Sequence, residues 1–88
     1  MDYQDKYKKT ILSSPHCILG KKGITDDFIT HVAKLLKRYK MIKIKVLRSA
    51  IAQSNIKNIA DRISEATNSY IIDMRGKKII LSKIPPKN

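Results

Sequence analysis

Residues 16–29 read His16-Cys17-Ile18-Leu19-Gly20-Lys21-Lys22-Gly23-Ile24-Thr25-Asp26-Asp27-Phe28-Ile29, and they change character twice. A short apolar run, closed by Gly20, predicts a strand. Gly20-Lys21-Lys22-Gly23 then reads as a loop. Thr25 has the hydroxyl of a helix N-cap, and Asp26 and Asp27 suit the positive first turn that follows. Ile24 and Ile29 have the spacing of a hydrophobic staple around that cap. Phe28, Ile29, Val32, Ala33, Leu35, Leu36 and Tyr39 continue as one apolar helical face, with Thr30, Lys34, Lys37 and Arg38 largely off it. Lys37, Arg38 and Lys40 fall where the negative helix end favours cations.

The chain on either side supplies what such a unit packs against. Met41-Ile42-Lys43-Ile44-Lys45-Val46-Leu47 alternates apolar and basic, the pattern of a half-buried strand. A polar-flanked connection, Arg48 to Ser54, leads to a helix over about 53–67, with Ile56, Ile59, Ala60 and Ile63 on one face. Asn68 is placed as a left-handed cap. Tyr70–Met74 reads as a strand, Gly76 and its basic neighbours as a hairpin, and Ile79–Ile84 as the return strand, stopped by Pro85-Pro86. At the other end, Tyr3, Tyr7 and Ile11 at helical spacing predict a short or frayed helix within residues 1–14, ending before Pro15. The order is (α)-β-α-β-α-β-β. The fold class is α/β, a two-layer sandwich, in one domain over residues 1–88 with its core in 15–84.

Composition bounds the function. Nineteen Lys and Arg against seven Asp and Glu give a net charge of +12 on 88 residues. That exceeds what solubility asks of a small domain and adds self-repulsion, so a polyanionic partner is the favoured reading. Lys-Ile compositional bias and an anionic membrane or protein surface are the alternatives. Large apolar residues run at most two or three together, as in Ile79-Ile80-Leu81, whereas a membrane span needs roughly 20. The start, Met1 to Lys6, lacks the apolar stretch of a secretory signal. The expectation is a cytoplasmic protein, monomeric, with no membrane and no small-molecule substrate. A single cysteine, Cys17, excludes an internal disulfide. Cys17 and His16 are strand neighbours and point to opposite faces, which argues against shared metal ligation. No nucleophile-base or paired-carboxylate constellation stands out, so neither an enzyme nor a cofactor is expected.

Topology suggests where an anion would bind. Strands joined by helical crossovers are normally parallel, so the first three strands should end at one edge of the sheet. The Gly20–Gly23 loop, the Arg48–Ser54 connection and the Arg75–Lys78 hairpin would emerge there together. Gly20, Lys21, Lys22, Gly23, Arg48, Arg75, Lys77 and Lys78 are therefore the candidate site. Glycines would let a backbone approach, the helix start would offer unpaired N–H groups to phosphate, and the cations would add charge. Lys43 and Lys45 share a face that should stay open, since burial would be costly. Lys6, Lys8 and Lys9 should lie away from the edge. Aromatic residues are few, Tyr39 and Tyr70 read as core, and recognition by backbone and shape is expected over base stacking.

These residues carry a resemblance. Ile18-Leu19-Gly20-Lys21-Lys22-Gly23-Ile24-Thr25, the strand Met41–Val46, Ala66-Thr67-Asn68 and Arg75-Gly76-Lys77-Lys78-Ile79-Ile80-Leu81 resemble the CRM domain family (chloroplast RNA splicing and ribosome maturation), whose stand-alone prokaryotic members are the YhbY-type proteins. The resemblance covers about residues 11–84. It implies an RNA-binding α/β fold similar to the C-terminal domain of translation initiation factor three, with binding through the G-x-x-G loop and nearby basic surface. It further implies ribosomal RNA or a large-subunit precursor as partner, hence a role in ribosome assembly. The family's first helix is usually longer and richer in apolar residues than 1–14 here. A stand-alone domain suggests a prokaryotic source, and the Lys-Ile bias an archaeal one. Two other readings stay open. Gly20-Lys21-Lys22 and Ile44-Lys45 with Arg48-Ser49-Ala50-Ile51 also look somewhat like the DNA- and RNA-binding Alba family, and a basic protein-interaction module fits the charge. A KH domain fits less well, because its G-x-x-G joins two helices.

Overall fold

In the computed structural model, which describes residues 3–52 and 54–86, residues 16–29 are a strand, a turn and a capped helix. Strand β1 is Cys17–Leu19 and is preceded by helix α1, Tyr3–Leu12. Helix α2, Asp26–Tyr39, begins at Thr25, whose hydroxyl accepts the Phe28 N–H at 3.1 Å. Strand β2, Met41–Val46, follows after one residue, Lys40, in the left-handed conformation. The Arg48–Ser54 connection contains a single-turn helix, α3 (Arg48–Ile51), that the sequence pattern does not announce. Helix α4, Ile56–Thr67, is capped by Asn55, which accepts the Asn58 N–H at 2.8 Å. The expected start at 53 lies outside the described residues. Asn68 takes the left-handed cap position, as its type and place imply. Strands β3, Tyr70–Arg75, and β4, Lys78–Ser82, form the hairpin.

The sheet order is β1-β2-β4-β3. β1 and β2 are parallel, and β4 runs antiparallel to both β2 and β3. β1, β2 and β3 therefore point the same way and end at one edge, although β4 separates β2 from β3. Ile42, Ile44 and Val46 of β2, Ile79 and Leu81 of β4, and Cys17 and Leu19 of β1 turn to one face. There they meet Val32 and Leu36 of α2 and Ile59, Ala60 and Ile63 of α4. Each fully buried Val, Leu or Ile among them contributes on the order of 1.5–3 kcal/mol.

The opposite face is not left open along its whole length. Alternation in β2 aims Met41, Lys43 and Lys45 at it, and α1 crosses it. Lys43 is only 8% exposed, and its ammonium donates to the carbonyls of Ile11 at 2.7 Å and Ser13 at 2.9 Å. It thereby satisfies the free carbonyls at the C-terminal end of α1. The Tyr7 hydroxyl donates to Asp73 of β3 at 3.0 Å. Thus the α/β sandwich of sheet, α2 and α4 carries a third element on its far side. The expected exposure of Lys43 is corrected, because helix-end carbonyls stand in for water. Lys45, two residues on, is past the cover of α1 and exposed.

His16 and Cys17 have structural roles. The His16 Nδ1 accepts the Lys43 N–H at 3.1 Å, and the His16 N–H donates to the Lys43 carbonyl at 2.7 Å. Burial lowers the imidazole's pKa and favours this neutral acceptor form. Burial also pushes the Cys17 thiol up to about 11, which makes it a poor nucleophile. Among the described residues no group of three His, Cys, Asp or Glu side chains is placed to hold a metal.

Candidate functional site

The Gly20–Gly23 segment is a four-residue turn, closed by the Gly23 N–H donating to the Gly20 carbonyl at 3.0 Å. Lys21 and Lys22 occupy its two central positions and are exposed. The two glycines are not equivalent. Gly23 has φ 71°, in the left-handed region where a side chain is strained. Gly20 is outside that region, and a Cβ there would sit 3.5 Å from Leu47 Cδ1, an ordinary contact. Gly23→Ala should therefore cost about 1–2 kcal/mol, and Gly20→Ala should change stability by less than about 1 kcal/mol. Urea unfolding of the two single variants measures the difference. Equal losses would show that space, not backbone conformation, governs the turn.

The Thr25 cap and the acidic first turn read from the sequence bear on the loop's chemistry. The start of α2 is not a free row of N–H donors beside the lysines. Ile24 and Thr25 intervene, the Thr25 hydroxyl already takes the Phe28 N–H, and Asp26 and Asp27 fill the first turn with negative charge. The positive potential of the loop comes from the two ammonium groups.

The remaining candidates meet at the same edge. The Leu47 N–H donates to the Leu19 carbonyl at 2.9 Å, tying the root of the Gly20 loop to the root of the Arg48 connection. The Val46 N–H donates to the Lys77 carbonyl at 2.7 Å, tying the hairpin to the end of β2. Ile18 pairs with Lys45, Lys45 with Lys78, and Lys78 with Arg75. These four residues form one row across the sheet, about 15 Å long at the usual strand spacing. Arg48, Arg75, Lys77 and Lys78 are all exposed. The hairpin turn is Gly76-Lys77, and the φ of 59° at Gly76 suits the first central position of a type II′ turn.

Lys45 belongs in this row, although its alternation pattern alone reads as a solvated strand face. Its signal is positional: it is the last basic residue before the strand leaves the edge. Arg75 is the least available cation, because its Nε donates to Asp73 Oδ2 at 2.8 Å. Asp73 is oriented by a bulge in β3 between Ile71 and Asp73, and it also accepts the Tyr7 hydroxyl. Apolar surface accompanies the charge: Ile18 is 56% exposed, and Ile18, Phe28 and the Gly20–Gly23 turn line a shallow groove. The arrangement is a curved rim of cations around a small apolar floor. It can neutralise several phosphates along a backbone, while the floor can pack against sugars.

Lys6 and Lys9 lie beside Tyr39 and Met41, at the opposite edge. Tyr39 and Tyr70, read as core residues, are 42% and 44% exposed. Each sits at the end of its element, Tyr39 as the last residue of α2 and Tyr70 as the first of β3.

Comparison with known proteins places these features in context. Residues 6–83 match the family model of the CRS1 / YhbY (CRM) domain. The chain is 26% identical, over an 88-residue alignment, to the "Probable RNA-binding protein YqeI" of Bacillus subtilis (strain 168), which covers 94% of this chain and 90% of that protein. It also resembles the solution structure of the hypothetical protein SAV1595 from Staphylococcus aureus, a protein to which RNA binding has been ascribed. That likeness has a TM-score of 0.71 at 26% identity and covers 97% of this chain and 86% of the other.

Proposed function

The chain belongs to the CRS1/YhbY (CRM) domain family, and from that premise we propose that it is an RNA-binding protein whose basic sheet edge grips folded RNA, with precursor ribosomal RNA of the large subunit as the target class. The observation that supports this most is the convergence of Lys21, Lys22, Lys45, Arg48, Lys77 and Lys78 from four chain segments onto one rim. Cations scattered for solubility need not share an edge. The edge binds without catalysis. Ammonium and guanidinium groups displace condensed counterions from successive phosphates, and the rigid sheet fixes their spacing so that an A-form backbone of matching shape fits best. Specificity then comes from the RNA's folded shape rather than from base edges. Family membership favours this over the Alba reading, and the loop's position between β1 and α2, not between two helices, disfavours a KH domain.

The test is electrophoretic mobility of an RNA hairpin and a duplex DNA of equal length, across salt. Log affinity for the hairpin is expected to fall linearly with log salt, with a slope of about −3 to −5, as for three to five phosphate contacts. The hairpin is expected to bind at least about fivefold more tightly than the DNA at matched salt. DNA binding of equal strength would favour a generic polyanion binder instead. Co-sedimentation of the tagged protein with large-subunit precursors, compared with mature subunits, tests the assignment of the target.

A further inference from the structure

We propose that the opposite edge of the sheet is a second nucleic-acid contact, one that takes an unpaired strand. Tyr39 and Tyr70 would be its stacking surfaces, with Arg38, Lys40, Lys6 and Lys9 its phosphate contacts. This rests on the RNA-binding reading for the identity of the strand: the unpaired flank of a folded RNA held at the first edge.

The two edges differ in kind. The first is cationic, and the aromatic ring in its groove, Phe28, is half-buried. Among the described residues, the exposed tyrosines are Tyr39 and Tyr70, and both lie at the second edge. Tyr70 pairs with Ser82, and Ser82 with Met41, so Tyr70 stands on a row that ends one residue pair from Tyr39. Tyr39 is held rather than loose. The His16 ring lies 5.0 Å away, tilted by 60°, and the Arg38 guanidinium is 5.3 Å from the ring centroid. Lys6 and Lys9 of α1 line the facing wall of a groove that runs past His16, Tyr39 and Met41. An aromatic face flanked by cations suits a base with its own face free and a phosphate on either side. That is a single strand, because in a duplex the base faces are already stacked.

Lys40 supplies an independent observation. It adopts φ 68°, a left-handed conformation that lysine disfavours and asparagine or glycine accepts. The equivalent position after α4 is Asn68, at φ 53°. The fold thus uses the conformationally suited residue at one helix end and a strained cation at the other, beside Tyr39. Strain held at a surface residue is a pointer to function when a better local choice exists. The two edges are separated by the length of β2, about 17 Å at roughly 3.3 Å per residue. The protein would then straddle a junction, with folded RNA at one end and its flank at the other.

The test uses the full chain, labelled with nitrogen-15, titrated with a short oligouridine and, separately, with a blunt RNA hairpin. Oligouridine is expected to shift the amides of 37–41 and 6–13, and the hairpin those of 18–23 and 75–78. Tyr39→Leu, which keeps apolar packing against His16, should weaken oligouridine about tenfold and leave the hairpin within twofold. Lys40→Asn should weaken oligouridine two- to fivefold while the melting temperature stays or rises, an outcome that a merely structural Lys40 would not give. Replacing Lys21 and Lys22 with alanine should do the reverse, weakening the hairpin and sparing oligouridine. The proposal is overturned if oligouridine fails to bind, if its shifts fall only at the first edge, or if Tyr39→Leu and Lys40→Asn both leave its affinity unchanged. Failure of the hairpin to bind would instead overturn the reading of the first edge, with the oligouridine shifts still deciding this one.

Discussion

Alanine at both Lys21 and Lys22 is expected to weaken binding to an RNA hairpin by about 10- to 30-fold at 0.15 M salt, without changing the melting temperature by more than a degree or two. Each phosphate contact to a duplex contributes about 0.9 to the slope of log affinity against log salt. At 0.15 M that is roughly a fivefold factor per contact, so two lost contacts give a factor near 30, less whatever neighbouring cations recover. The same loss should flatten the salt slope by about one to two units. Stability should hold because both side chains are exposed and the turn is closed by backbone and by Gly23. Arg75→Ala should have a smaller effect, since the Asp73 carboxylate already compensates its charge at 2.8 Å. The decisive control is the pair Lys8 and Lys34, exposed lysines that line neither edge. If their removal weakens the hairpin complex as much as loss of Lys21 and Lys22, net charge alone accounts for the affinity and the rim has no special standing.

The contrast between what was legible and what was not follows from which interactions leave a periodic trace. Thr25 and Asn68 mark helix ends because capping is local: the hydroxyl of one and the left-handed tolerance of the other act within a turn of their own position. The shared edge was legible for a similar reason, since crossover connections constrain strand direction without any side-chain detail. The position of β4 between β2 and β3 was not. Period-two alternation says which face a residue occupies, never which strand lies beside it. The seat of α1 was hidden too. Its apolar signal is three residues, and its anchors are polar: Tyr7 on Asp73, and Lys43 on the Ile11 and Ser13 carbonyls. Such pairs join residues tens of positions apart and obey no spacing rule. The open face expected of Lys43 and Lys45 holds for Lys45 alone, because the cover of α1 stops between them. The G-x-x-G pattern likewise looks symmetric on paper, yet only Gly23 has a backbone conformation that demands glycine.

Lys43→Met should destabilise the fold by about 2 kcal/mol and release α1. Methionine matches the length and volume of the lysine stem, so packing against the sheet is retained and the change is confined to the ammonium group. Two effects oppose each other. Removing a nearly buried cation relieves its desolvation cost, and exchanging buried ionic groups for apolar ones can be stabilising. Against that, the ammonium is the donor for two carbonyls at the end of α1, and a buried acceptor left without its partner costs about 1–3 kcal/mol. The favourable interaction of a cation with the negative helix end is lost as well. Two acceptors outweigh one charge here, because the ammonium is already compensated by both carbonyls while the residue is only 8% exposed. For a chain of this size, a loss of about 2 kcal/mol corresponds to a fall in melting temperature of roughly 8–16 °C. Tryptic cleavage after Lys6, Lys8 or Lys9 should accelerate under conditions where the rest of the chain stays intact, since α1 loses the contact that fixes its C-terminal end. Hairpin RNA affinity should change by less than threefold. Lys43 is covered, one pair of residues below the exposed Lys45, and carries no phosphate. A variant as stable as the parent, with α1 equally resistant to trypsin, would mean that the desolvation term dominates and that α1 is held by Tyr7 and its apolar contacts alone.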